Sequence, residues 1–199
     1  MTHSKKDFIV DFLLSILPRI ISKLRGLIFI PIIYKTLGQD VYGIWTNFAV
    51  GITLFGGISK LSLGAAANKL LVDATKERLN EDYWTIMTIT TVLSFVVGSI
   101  LVVFRVPFAT IIFGSESRTI IVILLAVVLV FSSIPSQSAQ VYRSQRRMDV
   151  FAGIQSLRSL GEVGAIAIGI IIFESIIEAL YIYLLFHLIF SIIVLLYSI

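Results

Sequence analysis

Arg19, Lys23 and Arg25 stand among isoleucines, leucines and phenylalanines in LPRIISKLRGLIFIPIIY, residues 17–34. Fixed cations in so apolar a run suit one chemistry, the holding of an anion. A guanidinium meets a phosphate or carboxylate through two parallel hydrogen bonds, and an ammonium meets it as a point charge. On a helix turning about 100° per residue, Arg19 and Lys23 fall about 40° apart, beside Ser15. Arg25 falls about 120° from Arg19, nearer Ser22, so the three do not form one stripe. A bend at Pro18 or Gly26 would draw them together. Two other readings stand: Arg19 snorkels to the interface, or the cations pair with carboxylates on neighbouring helices. Acids are scarce in the apolar runs, which favours a cationic cavity.

A second constellation is Arg158 and Glu162 in QSLRSLGEVGA. Four residues apart on a helix, they share a face. They read either as a self-neutralising pair or as a coupling site in which Glu162 takes up a proton or a cation. In SSIPSQSAQ, residues 132–140, Pro135 frees a backbone carbonyl, and the serines and glutamines hydrogen-bond across helices or line water. Packing is the favoured role there, as it is for the small residues of GAAAN, residues 64–68. Lys60 closes an apolar run, where snorkelling is expected. His187 is expected to bond a neighbour rather than a metal, because the other histidine is His3 at the terminus. No Gly-rich phosphate loop, HExxH, GxSxG or convincing carboxylate pair occurs. No catalytic residue, metal site or cofactor is therefore expected, and the chain is not expected to be an enzyme.

These residues must be positioned by something that lives in lipid. The 199 residues are 57% hydrophobic and only 14% charged, with a mean hydropathy of +0.98. Soluble domains run about 45–50% apolar and about 25% charged, so an integral membrane protein is expected. The net charge of +4 reflects basic loops in such a protein, and nucleic acid is not an expected partner. Cysteine is absent, which excludes disulfides and thiolate chemistry. The N-terminus MTHSKKDFIVDFLL lacks a small-x-small cleavage site and reads as the start of a retained span.

A bilayer core takes about 20 apolar residues per helix. Six such runs are read, over residues 12–33, 42–61, 83–104, 119–141, 153–173 and 177–199. They are too long for strands, and an open sheet would leave its edge unsatisfied in lipid. KTLGQD reads as a tight turn with Gly38 at positive φ. KLLVDATKERLNED reads as a charged surface helix extending from the second span. RVPFATIIFGSES reads as a short connection in which Pro107 breaks helix. RSQRRMD is strongly basic, and ESIIE barely separates the last two spans.

Eight basic residues (Lys5, Lys6, Lys69, Lys76, Arg78, Arg143, Arg146, Arg147) fall on one side and three (Lys35, Arg105, Arg118) on the other. The positive-inside rule then places both termini in the cytoplasm. The first span is costly. Three central cations cost on the order of 9 kcal/mol, and its apolar residues return roughly 4–8 kcal/mol. The charges must be sheltered.

TLGQDVYGIWT, residues 36–46, resembles the turn between the first two helices of polysaccharide, or O-antigen, flippases. Their superfamily also holds the multidrug and toxic-compound exporters and the lipid II flippases. The family pattern there is Leu-Gly-x-x-x-Tyr/Phe-Gly, matched by Leu37, Gly38, Tyr42 and Gly43. SLGAAANKLL is similar to the family's small-residue stretch closing the second helix, with Ser62 departing from it. YRSQRRMDVFAGIQSLRSL looks like the family's basic fourth loop entering the fifth helix.

The resemblance covers essentially the whole chain. It implies an all-α membrane protein of six transmembrane helices, forming one lobe of a two-lobe exporter fold around a cationic cavity. It implies translocation of polyprenyl-diphosphate-linked oligosaccharide across the cytoplasmic membrane, with Arg19, Lys23 and Arg25 meeting the diphosphate. The expected partners are the anionic lipid-linked saccharide, membrane lipid, and a second six-helix lobe or a second copy. The sixth span ends at Ile199 with no polar tail, so residues 1–199 are expected to be an incomplete transporter. The rival readings are a multidrug-exporter or lipid II flippase lobe and, from another class, a non-transporting subunit or an enzyme of polysaccharide assembly.

Overall fold

The computed structural model describes residues 5–60 and 76–197. Among them lie seven α-helices and no strand: α1 (Lys5–Leu37), α2 (Gln39–Lys60), α3 (Lys76–Val103), α4 (Arg105–Phe113), α5 (Thr119–Ser144), α6 (Met148–Phe173) and α7 (Ile176–Tyr197). A 3-10 turn, Glu116–Arg118, joins α4 to α5. The abundant Ile and Val do not form strands, because a helix satisfies every N–H and C=O within its own segment.

Helices α2, α3, α5, α6 and α7 are long and apolar enough to cross a membrane. Helix α1 has 33 residues, but every 18-residue stretch of it holds at least three charged side chains. It lies along α6 and turns into α2. The chain is thus an all-α, multi-pass membrane protein. The six expected spans lie along α1, α2, α3, α5, α6 and α7, several of which run further at their polar ends; residues 61 and 198–199 lie outside the described residues.

The turns follow from single residues. Gly38 takes φ +86° and alone separates α1 from α2. Gly114 at φ +73° closes α4, its N–H donating to the Thr110 carbonyl. Residues 76–82 of the charged run form the first turns of α3; residues 61–75, with the motif GAAAN and the rest of the expected surface helix, lie outside the described residues. The stretch expected to be a short connection instead holds the nine-residue α4. The expected break at Pro107 is present: its missing N–H would have served the carbonyl of Val103, the last residue of α3, and Pro107 itself is the third residue of α4, where an absent N–H costs little.

Helix α5 is the hub, in contact with α2, α3, α4, α6 and α7. Its apolar window is 56% buried, against 28–39% for the other four spans. Around it the bundle divides along its axis. One half is an apolar core, built from Ile44, Trp45 and Phe48 at the start of α2, Leu101 at the end of α3, Ile121–Leu129 in α5, Ile166 and Ile170 in α6, and Leu180 and Tyr183 in α7. The other half buries Ser59, Thr90, Ser94, Gln137, Ser138, Ser159, Glu162, His187 and Ser191.

Candidate functional site

The polar half is built on the stretch of α5 around Pro135. Proline has no N–H to give the carbonyl four residues back, which is that of Phe131. The Ser191 hydroxyl of α7 lies 2.6 Å from this oxygen and 2.6 Å from its own His187 carbonyl. One proton cannot serve both fully, and Phe131 has the greater need. A proline on one helix is thereby repaired by a serine on another. Next along α5, Lys60 Nζ donates to Ser136 Oγ at 2.9 Å, Gln137 Nε2 donates to Thr90 Oγ1 at 3.0 Å, and Tyr83 Oη and Ser138 Oγ share a 2.9 Å bond. Each ties α5 to α2 or α3.

Against this seam lies an ionic cluster. Arg158 Nε donates to Glu162 Oε1 at 2.9 Å across one turn of α6. His187 Nε2 of α7 stands 3.5 Å from the same oxygen. The side chains of Glu162 and His187 are 1% and 0% exposed, so both are out of contact with bulk water. Glu162 is 14 residues into α6 and His187 is 11 residues into α7, close to the middle of each. The Tyr183 ring packs edge-on against the imidazole, centroids 4.6 Å apart. Arg158 also acts electrostatically on Lys60, so a second cation borders the cluster from α2.

One carboxylate oxygen thus meets a guanidinium and an imidazole, gathering charged and titratable side chains near the middle of α6 and α7. Among the described residues, no three His, Asp or Glu gather as metal ligands.

The first-helix cations are placed as follows. Lys23 is exposed near the midpoint of α1, the helix lying along α6. The backbones of Arg19 and Arg25 belong to the same helix, and their side chains lie outside the described residues. Lys60 is corrected. Rather than snorkelling it turns inward to Ser136, because the polar seam offers an acceptor where lipid does not. His187, expected to meet a neighbour, stands 3.5 Å from Glu162, a partner that spacing along one helix does not name. The signal for its burial was the spacing of Tyr183, His187 and Ser191, all buried on one face of α7.

Fold and site together define a polytopic helical membrane protein with a polar, charge-bearing half-bundle. Its family is more specific. A family profile described as polysaccharide biosynthesis protein matches residues 9–199, and the chain belongs to that family. No curated protein and no solved structure matches it.

Proposed function

We propose that the chain is a lobe of a flippase that moves a polyprenyl-diphosphate-linked oligosaccharide across the cytoplasmic membrane. Membership of the polysaccharide biosynthesis family supports the substrate class. The observation that carries the reading is Lys23, a cation exposed halfway along α1. Facing acyl chains there, it would cost about 2.5–3.5 kcal/mol. Bordering a water-filled cavity that admits an anion, it is stabilised instead.

The same face of α1 exposes Leu17, Ile20, Leu24 and Leu27, and in this scheme a second six-helix lobe or a second copy covers it to close the cavity. Arg19 and Arg25 join Lys23 in meeting the diphosphate. Both termini are cytoplasmic, as the basic loops argue, so the polar half-bundle faces the compartment where the substrate is made. A coupling role for Glu162 is supported by its depth and by its neighbours Arg158 and His187. No acid–base or nucleophilic role is assigned to any residue, and the protein acts as a transporter rather than an enzyme.

The test is reconstitution of the chain in vesicles with a fluorescent polyprenyl-diphosphate saccharide in one leaflet. Transfer to the other leaflet above that of protein-free vesicles supports the reading. Transfer of cationic dyes without transfer of the lipid would favour a drug-exporter lobe instead.

A further inference from the structure

At the far end of α2 from Lys60, about 30 Å away at 1.5 Å per residue, lies an open cleft of about 540 Å³. Gln39, Asp40, Tyr42, Thr46 and Asn47 of α2 form one wall, and Arg118 of the 3-10 turn forms the other. Pockets that hold small ligands run about 300–1,000 Å³. Two of the polar side chains are held in place by α4. The Asn47 amide donates to the Ile112 carbonyl at 2.7 Å, and the Arg118 guanidinium donates to the Phe113 carbonyl. Asn47 keeps its own carbonyl oxygen as an acceptor, and the Thr46 hydroxyl, having donated to Tyr42, can still accept.

We infer that this cleft is a saccharide subsite, reading the glycan of the lipid-linked substrate; it rests on the flippase reading above. An ionised carboxylate such as Asp40 only accepts hydrogen bonds, and a guanidinium such as Arg118 only donates them. A sugar hydroxyl does both, so one chain of adjacent hydroxyls satisfies the two together. The half-buried Tyr42 ring offers an apolar body with a polar tip to the C–H face of a pyranose. A phosphate or another anion fits poorly, because Asp40 repels it. A bare acyl chain fits poorly too, because it leaves the carboxylate, guanidinium and amides unanswered. Below the cleft the same face of α2 continues as an apolar groove past Ala49, Val50, Thr53 and Leu54. A polar group in the cleft thus sits above an apolar track, as the head of a lipid-linked molecule would.

The test is saturation-transfer difference NMR on the purified full chain, with lactose, chitobiose and mannobiose as probes. The expected result is transfer to the ring C–H protons of at least one disaccharide. It should fall at least fivefold in Asp40→Asn and Tyr42→Leu, and stay unchanged in Asp149→Asn at the opposite end of the bundle. Asp40 is exposed, so Asp40→Asn decides the matter if Tyr42→Leu fails to fold. Absence of transfer to all three sugars, or equal transfer in Asp40→Asn, overturns the subsite. The flipping assay separates the two readings: sugar binding without flipping sinks the flippase and keeps the cleft, while flipping without sugar binding does the reverse.

Discussion

The two halves of the bundle are made from the same helices but held together by different forces. In the apolar half, helices meet through close fit. Leu125 covers Gly51, and Gly169 lies so near Ala179 that an added Cβ would strike its backbone. Lipid is as apolar as leucine, so burial alone gives little drive in a membrane, and dispersion at short range must hold this half. In the polar half, helices meet through hydrogen bonds and one ion cluster, whose alternatives in lipid are costly. Fit tolerates no exchange of partners. A polar network can be rewired or hydrated, and it is the half where a change of charge can alter packing.

The largest difference between the halves should come from splitting the ion pair. Glu162→Gln removes the carboxylate that meets the partly buried Arg158; breaking a fully buried pair costs about 3–5 kcal/mol, and a smaller loss is expected for this half-open one. Unfolding in SDS or guanidinium should register that loss. The double variant Arg158→Leu, Glu162→Leu should regain most of it. Transport should fall further in Glu162→Gln than the amount of folded protein does. A double variant that restores both stability and transport would reduce the pair to a structural role.

The apolar half should respond to volume and not to charge. Gly169→Leu should cost about 1–3 kcal/mol through overpacking, read by thermal unfolding in detergent. Gly57→Leu, with open space at the site, should stay within about 0.5 kcal/mol. Equal losses at both would mean that the close approach of α6 and α7 is not what holds this half.

A smaller effect tests the repaired proline. Ser191→Ala should cost about 0.6 kcal/mol, the average for such bonds in membranes. In a Pro135→Ala background the loss should approach zero, since the substituted alanine supplies the N–H that the Phe131 carbonyl lacked. A loss that persists would show that the serine bonds the His187 carbonyl instead.

Thiol labelling perturbs the fold least and orients the two halves. Ser144 is buried and bonded to the Val141 carbonyl, so the exposed Asp149 and Ser117 are the better positions in this cysteine-free chain. In intact cells an impermeant reagent should modify Ser117→Cys and spare Asp149→Cys. The opposite pattern would invert the orientation.

Much of this was legible in the residues because it is local. The six long helices follow from run length, though not the short α4; the Gly38 turn follows from its conformational freedom, and the Arg158–Glu162 pair from a four-residue spacing. The freed Phe131 carbonyl follows from Pro135. What answers that carbonyl was not legible, because Ser191 lies 60 residues away and only packing brings it there. His187 meets Glu162 for the same reason. Lys60 was misjudged by treating lipid as its only surroundings, when Ser136 of another helix was within reach. The break between α3 and α4 follows from Pro107, whose missing N–H would have served the Val103 carbonyl where α3 ends. The sites at the two ends of α2 both depend on partners from other helices, which spacing along one helix does not reveal.

The central claim is that a cation halfway along α1 handles an anionic lipid. In vesicles containing the fluorescent polyprenyl-diphosphate saccharide, Lys23→Ala should lower the flipping rate at least tenfold with the amount of inserted protein unchanged. Lys23→Arg should retain a substantial fraction, because charge is kept. Lys35→Ala, at the helix end, should match the parent rate. Full flipping by Lys23→Ala would contradict the account.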